Sequence, residues 1–531
     1  MFRNSFLLLA LLFSSSVLAQ RFTMLEMIDV ERYIINLDLT NFTEEIKGNA
    51  IIEFKVDKPE KTIAFDLVNS VDEEKTGMKV IDVKMGEAIT WFHENNKITI
   101  KKAQEFERDR KYSITIIYEG FPGDGLIISK NKHRDHTAFG DNWPNRAHHW
   151  FPCVDHPGDK AIIEWKVNYP STLMLIGNGD LVADSAVSRK VKFNHWQSTV
   201  PLPTKVMVIG LADFAVSEPC MVHDIEVTSW VFKKQKEDGF SDYAIACEVL
   251  EWFENKIADY PYAKLANVQS KTRYGGMENA SCIFYFENSV NGKGEVEDLI
   301  AHEIAHQWFG NSATETDWPH LWLSEGFATY LTDVYIQDKY GDEAFQERLV
   351  GERDKAIKFY TRYQAPVVDT LADNPNMLLN PNSYQKGAWF LHMLRNEIGD
   401  SLFWESVNAY YNFYYLGNAS TDNFIAVVNQ ITGNDYSEFA EQWLKTEGHP
   451  NLVIESKLAK NDKLEIVVEQ KQKELFEFEL SVFTNCQPMG ALYTEKISKR
   501  KTKFTIDLLG EFESLNIDPN VKLFFEYDYK H

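Results

Sequence analysis

Five cysteines in 531 residues (Cys153, Cys220, Cys247, Cys282 and Cys486) are too few and too scattered for a disulfide framework to hold the fold, and none has metal-ligand spacing. An odd number leaves at least one unpaired, or paired between chains. Positive charge is also scarce. Lysine and arginine number 55 against 79 aspartates and glutamates, and with a formal charge of −24 binding to nucleic acid or to an anionic membrane is disfavoured. Beyond the N-terminal segment no stretch reaches the roughly 18 apolar positions of a membrane span, so no membrane insertion is expected. Internal repeats, low-complexity linkers and heptads are absent as well.

What remains is an ordinary globular composition. Apolar residues make up 44% and aromatic residues 13% of the chain, which excludes disorder, and the length calls for about three domains. Residues Met1 to Ala19 combine a short polar start containing Arg3, an apolar run from Phe6 to Phe13, and small residues before Gln20. That pattern looks like a secretory signal, so an exported protein, periplasmic or secreted, starting at Gln20 is expected. No cysteine follows the cut, which argues against a lipid anchor.

From 20 to 216 the apolar residues run with period two, as in Tyr112, Ile114, Ile116 and Tyr118, and the expectation is an all-β domain of sandwich type. Within it a loop from Phe139 to Pro157 is dense in aromatics and histidines. Adjacent His148 and His149 are expected to point apart in a strand, which disfavours a second metal there. From 217 to 450 the period becomes helical, as in Tyr243, Ala246, Val249, Leu250, Phe253 and Ile257, giving a mostly helical core domain. From 451 to 531 alternation returns, for example at Leu464, Ile466 and Val468, and a small β-sandwich is expected. The fold class is therefore multidomain α+β.

The chemistry concentrates between Glu295 and Tyr335. His302, Glu303 and His306 read HExxH; if Val296 to Phe309 is helical, the two imidazoles, four residues apart, converge on one point. Catalytic zinc takes a third protein ligand and leaves one position for water. Glu325, in Leu323-Ser324-Glu325-Gly326 with eighteen residues between it and His306, is the candidate, on a second helix running through Tyr335. Upstream lies Tyr274-Gly275-Gly276-Met277-Glu278-Asn279, in a stretch that reads as strand, where paired glycines let backbone approach a ligand closely.

A Gly-x-Met-Glu-Asn strand, then HExxH, then a glutamate after eighteen residues resembles the zinc aminopeptidases of peptidase family M1, which include the alanyl aminopeptidases and leukotriene hydrolase. The resemblance extends through Trp150-Phe151-Pro152-Cys153-Val154-Asp155-His156-Pro157, Trp318 to Ala328, and Ser383-Tyr384-Gln385-Lys386-Gly387-Ala388. It implies a thermolysin-like catalytic domain between the two β regions. Many members carry a further helical domain after the sandwich, and this sequence stops before one, so a more open cleft, or one covered by a second subunit, is expected.

By the same resemblance His302, His306 and Glu325 would hold one Zn2+ per chain, and Glu303 would be the general base, a role its place beside a ligand also suits. Glu278, with Gly275, Gly276, Met277 and Asn279 around it, would bind the free α-ammonium of a peptide substrate, and Tyr384 would donate to the oxyanion. A further polar residue of the loop before the Pro-Cys segment assists the ammonium in the family; Asp141, Asn142 and Trp143 are the candidates, and Asp141 fits the charge. The implied activity is removal of N-terminal residues from peptides with a free N-terminus. The alternatives are an endo-acting zinc metallopeptidase, an epoxide-opening enzyme of the leukotriene-hydrolase type, and a non-catalytic peptide-binding homologue. Side-chain preference and oligomeric state stay open.

Overall fold

The structure is a computed structural model that describes residues 28–41, 43–69 and 76–530. The signal-type segment Met1 to Ala19 lies outside the described residues. The chain divides into two compact units: the first runs to Asp317 and includes Tyr414–Asn418, and the second comprises Trp318–Phe413 and Ala419–His531.

The first unit begins as β structure because its apolar residues alternate. Ile46–Val56 buries every second side chain, and Ile28–Asp38 does so after a bulge between Val30 and Arg32. These strands pair near the centre of an eight-stranded sheet in the order Asp180–Ala186, Val191–Gln197, Lys160–Pro170, Ile28–Asp38, Ile46–Val56, Tyr112–Phe121 and Gly77–Met85, with Leu202–Pro203 beside Lys160–Pro170. Among the described residues only Ile28–Asp38 and Lys160–Pro170 run parallel in it. A three-stranded and a four-stranded sheet complete this β-rich part.

The aromatic-rich loop packs into that part. Trp150 stacks on Trp165 at 5.1 Å, and the Asn142 amide donates to the carbonyls of Thr204 and Met207 while accepting from Trp150 Nε1. The expectation for its histidines needs correction. Ala147–His149 is a 3-10 turn and not a strand, so His148 and His149 lie on one side with ring centroids 4.8 Å apart. Asp155 takes the Nδ1 of His148 at 2.6 Å.

The stretch after Ser217 is less helical at its start than its periodicity suggests. Six strands form a sheet ordered Phe214–Val216, Ile225–Phe232, Lys264–Ser270, Cys282–Phe286 and Gly276–Met277, with Cys220–Val222 also pairing with Ile225–Phe232. Its three central strands are parallel, and parallel strands buried on both faces read as apolar runs without alternation, as in Cys-Ile-Phe-Tyr-Phe. The helices Lys236–Tyr243 and Ala246–Lys256 form the crossover between the first two. Cys220 and Cys247 form a disulfide from strand to helix, whereas Cys153, Cys282 and Cys486 are free and buried.

The second unit is helical and then β. Trp322–Tyr340, Asp342–Tyr360, Gly387–Ile398, Asp400–Phe413 and Thr421–Thr432 are its long helices. The last is fixed at its start by a capping box between Ser420 and Asn423 and stopped by Gly433 at φ 71°. Strands from Asn451 onward form a four-stranded and a three-stranded sheet. No helix among the described residues is long and apolar enough to cross a membrane.

Candidate active site

The histidine helix covers Glu297–Ala305, shorter than the expected span to Phe309. Past His306 the hydrogen bonds tighten to three-residue spacing, Gln307 N–H to Ile304 and Trp308 N–H to Ala305, and the chain then turns at Gly310 with φ 114°. His302 and His306 nevertheless sit as the four-residue spacing requires. Their Nε2 atoms are 3.1 Å apart, with the rings at 87° to each other. His306 Nδ1 donates to the Phe309 carbonyl at 3.2 Å, which leaves its Nε2 lone pair for a ligand role. Two imidazole nitrogens brought this close, one with its tautomer fixed, are a donor set that suits a divalent cation such as zinc.

Glu303 projects from the same helix towards the edge strand Gly276–Met277. A Cβ on Gly276 would collide with the Glu303 carboxylate, so this glycine is a space requirement. Gly275 is not one: a Cβ there would meet only Leu299, at 3.7 Å, and its carbonyl accepts from Phe286 N–H. Met277 is buried and pairs with Phe284. Donor atoms of Glu278, Glu303 and His306 all lie within 4.8 Å of one another, and all three residues are buried. Burial, together with the charge of Glu303, also pushes the neighbouring Tyr285 hydroxyl well above its usual pKa.

Asn279 is fully buried, so its Asn-Ala-Ser sequence offers no accessible glycan acceptor in the folded protein. Asp141 is fully buried too. Its carboxylate takes the Arg146 guanidinium at 2.7 Å and the Arg273 N–H at 3.2 Å, and Arg146 and Arg273 both extend to Asp124. Burial raises the pKa of Asp141, and the Arg146 charge opposes this. Trp143 meets the Tyr274 ring edge to face at 6.3 Å.

Glu325 and Tyr384 belong to the second unit. Glu325 lies buried in the first turn of Trp322–Tyr340. Tyr384 falls in a π-helical turn, Asn382–Lys386, that leads into Gly387–Ile398. It is the one residue of that turn that is not buried.

Three residues escaped the motif reading because amides and a distant lysine carry no metal chemistry. Gln307 and Asn311 both bond the backbone carbonyl of Glu278, at 2.8 and 2.6 Å. Lys160, from the eight-stranded sheet, reaches the carbonyls of Ser312 and Gly417, each at 2.7 Å, and burial drives its pKa well below the usual value. It ties down the turn that follows the histidine helix.

Residues 242–443 match the Peptidase family M1 domain and residues 30–206 the Peptidase M1 N-terminal domain. The chain belongs to peptidase family M1. It is similar to a leucyl aminopeptidase of Saccharolobus solfataricus, 27% identical over 80% of this chain and 54% of that protein. Aminopeptidase M1-C of Oryza sativa subsp. japonica is 28% identical over 60% of this chain and 37% of its own length, and Aminopeptidase M1 of Arabidopsis thaliana 24% over 76% and 50%. The chain thus spans about half the length, or less, of these curated relatives.

Proposed function

We propose that the protein is a zinc-dependent aminopeptidase that hydrolyses the N-terminal residue from peptides with a free amino end. The observation that carries this reading is the position of Glu278, a buried carboxylate whose donor atom lies within 4.8 Å of those of Glu303 and His306. A fixed negative charge beside the reacting groups matches an α-ammonium one residue from the bond to be cut. An internal peptide segment would bring an uncharged amide there and forgo that charge pairing. The relatives, aminopeptidases by name, agree with this reading.

His302 and His306 would hold the metal with Glu325 as third ligand, supported by the convergence of the two Nε2 atoms, by the eighteen-residue spacing and by the burial of Glu325. When bound, zinc supplies a Lewis acid for the scissile carbonyl and lowers the pKa of water to about 7. Glu303 takes the proton from the attacking water and returns it to the departing amine. The Tyr384 hydroxyl donates to the oxyanion, a contribution of about 3 kcal/mol in comparable sites. Both oxygens of Asp141 are engaged by Arg146 and Arg273, so its part in amine binding is to shape the loop before Tyr274. The catalytic region is read as thermolysin-like, followed in the chain by a small β-sandwich. Export to the periplasm or the medium is part of the proposal, supported by the Met1 to Ala19 pattern and by the Cys220–Cys247 disulfide.

The purified protein should carry one zinc per chain, hydrolyse aminoacyl anilides, and cleave an N-acetylated peptide at least about a hundredfold more slowly than its free-amine twin. Equal rates on the two peptides would replace this reading with an endo-acting metallopeptidase. Zinc-free protein without hydrolysis would leave a peptide-binding homologue.

A further inference from the structure

Glu278 stands at the edge of its sheet, where a two-residue strand ends, and so short a strand does not fix the residue that follows it. The carbonyl of Glu278 is held from the other side. Gln307 Nε2 donates to it at 2.8 Å and Asn311 Nδ2 at 2.6 Å, so both lone pairs of one carbonyl oxygen are taken by side-chain amides. Neither amide is exposed.

The clamp is itself anchored. Gln307 Oε1 accepts from Ser281 N–H at 3.0 Å, so a single amide bridges residues 278 and 281 and closes a turn in which Ser281 adopts φ 63°. Asn311 N–H donates to the His306 carbonyl at 3.1 Å, which ties the second amide to the histidine helix. At Gly276 the same helix presses Glu303 against the edge strand where a side chain would not fit. The backbone that carries Glu278 is therefore registered against the helix that carries His302, Glu303 and His306 at two points.

We infer that Gln307 and Asn311 are positioning residues for amine recognition: their amides fix the Glu278 backbone and thereby the stand of its carboxylate relative to Glu303. This rests on the aminopeptidase reading above and adds the residues that set its precision. A displacement of about 1 Å at a reacting or anchoring group is enough to cost about a hundredfold in rate. Two amides converging on one carbonyl in a dry interior hold it far more tightly than apolar packing alone.

The test uses isosteric variants, Gln307→Glu and Asn311→Asp, each of which replaces the donating NH2 by oxygen. Alanyl p-nitroanilide and propionyl p-nitroanilide differ only in the α-amine. For either variant with wild-type zinc content, the ratio of kcat/KM for alanyl over propionyl should fall about tenfold, mainly through the alanyl KM, and the inhibition constant of alanine amide should rise by a similar factor. If one variant does not fold, the other carries the same expectation. An equal loss on both substrates, or an unchanged ratio and inhibition constant, overturns the clamp as a positioning device. Wild-type protein that handles the alanyl and propionyl substrates alike overturns the aminopeptidase reading itself, and the inference falls with it.

Discussion

Gly326 and Gly387 meet backbone to backbone: a first side-chain carbon on Gly326 would lie 2.9 Å from the Gly387 carbonyl carbon, and one on Gly387 would lie 3.2 Å from Gly326 Cα. Gly326 follows Glu325, and Gly387 closes the π-helical turn that carries Tyr384. The contact therefore sets the spacing between the proposed third ligand and the proposed oxyanion donor. Both neighbours are main chain in buried helical segments, so neither yields cheaply. Gly326→Ala should destabilise the protein by about 1–3 kcal/mol and lower kcat about tenfold. Urea midpoints and turnover measured together check this, and an unchanged midpoint would show that the two segments separate freely.

Glu303 and His302 are adjacent in sequence but are assigned different work, and the assignment separates in the test tube. Glu303→Gln should retain zinc and lose about a thousandfold in kcat, because the amide cannot take the proton from water. His302→Ala should lose the metal itself. Gly276→Ala should resemble Glu303→Gln in a milder form, since its methyl group displaces the carboxylate and leaves the histidines alone. Zinc analysis beside turnover distinguishes these cases; comparable zinc loss in Glu303→Gln and His302→Ala would make Glu303 a ligand and leave the base unassigned.

Much of this site is legible in the sequence because its chemistry is local. Four residues of helix bring His302 to His306, and that geometry survives even though the helix ends sooner than its apolar pattern implies. The parallel sheet from Ile225 to Phe286 is harder to see, since strands covered on both faces lose the alternation that marks Ile46–Val56. His148 and His149 were open to misreading for another reason: only the backbone decides whether neighbours diverge, and a 3-10 turn keeps them together. Gln307 and Asn311 leave no sequence signal, because an amide bonding a carbonyl some thirty residues away has neither period nor motif. The close approach at Gly326 and Gly387 is invisible for the same reason.

His392 makes the second unit sensitive to acid. It lies buried on Gly387–Ile398, with Nε2 donating to the Val521 carbonyl at 2.8 Å and Nδ1 facing the Tyr330 hydroxyl at 3.4 Å. Burial pushes its pKa down to about 4; the Val521 carbonyl opposes the shift, while Arg395 and Lys522 add to it. In the unfolded chain the imidazole takes up its proton near pH 6.5, so between that value and about 4 the unfolded state binds more protons than the folded one. Stability must therefore fall as pH drops through this window, by about 3 kcal/mol once both states are protonated. The cleanest range is pH 6.5 to 5, above the titration of most carboxylates. Urea midpoints of the wild type should decline across it, and His392→Gln, which keeps a donor for Val521 but cannot be protonated, should flatten the decline by the slope of one proton. A variant with the wild-type slope would assign the acid sensitivity to other groups.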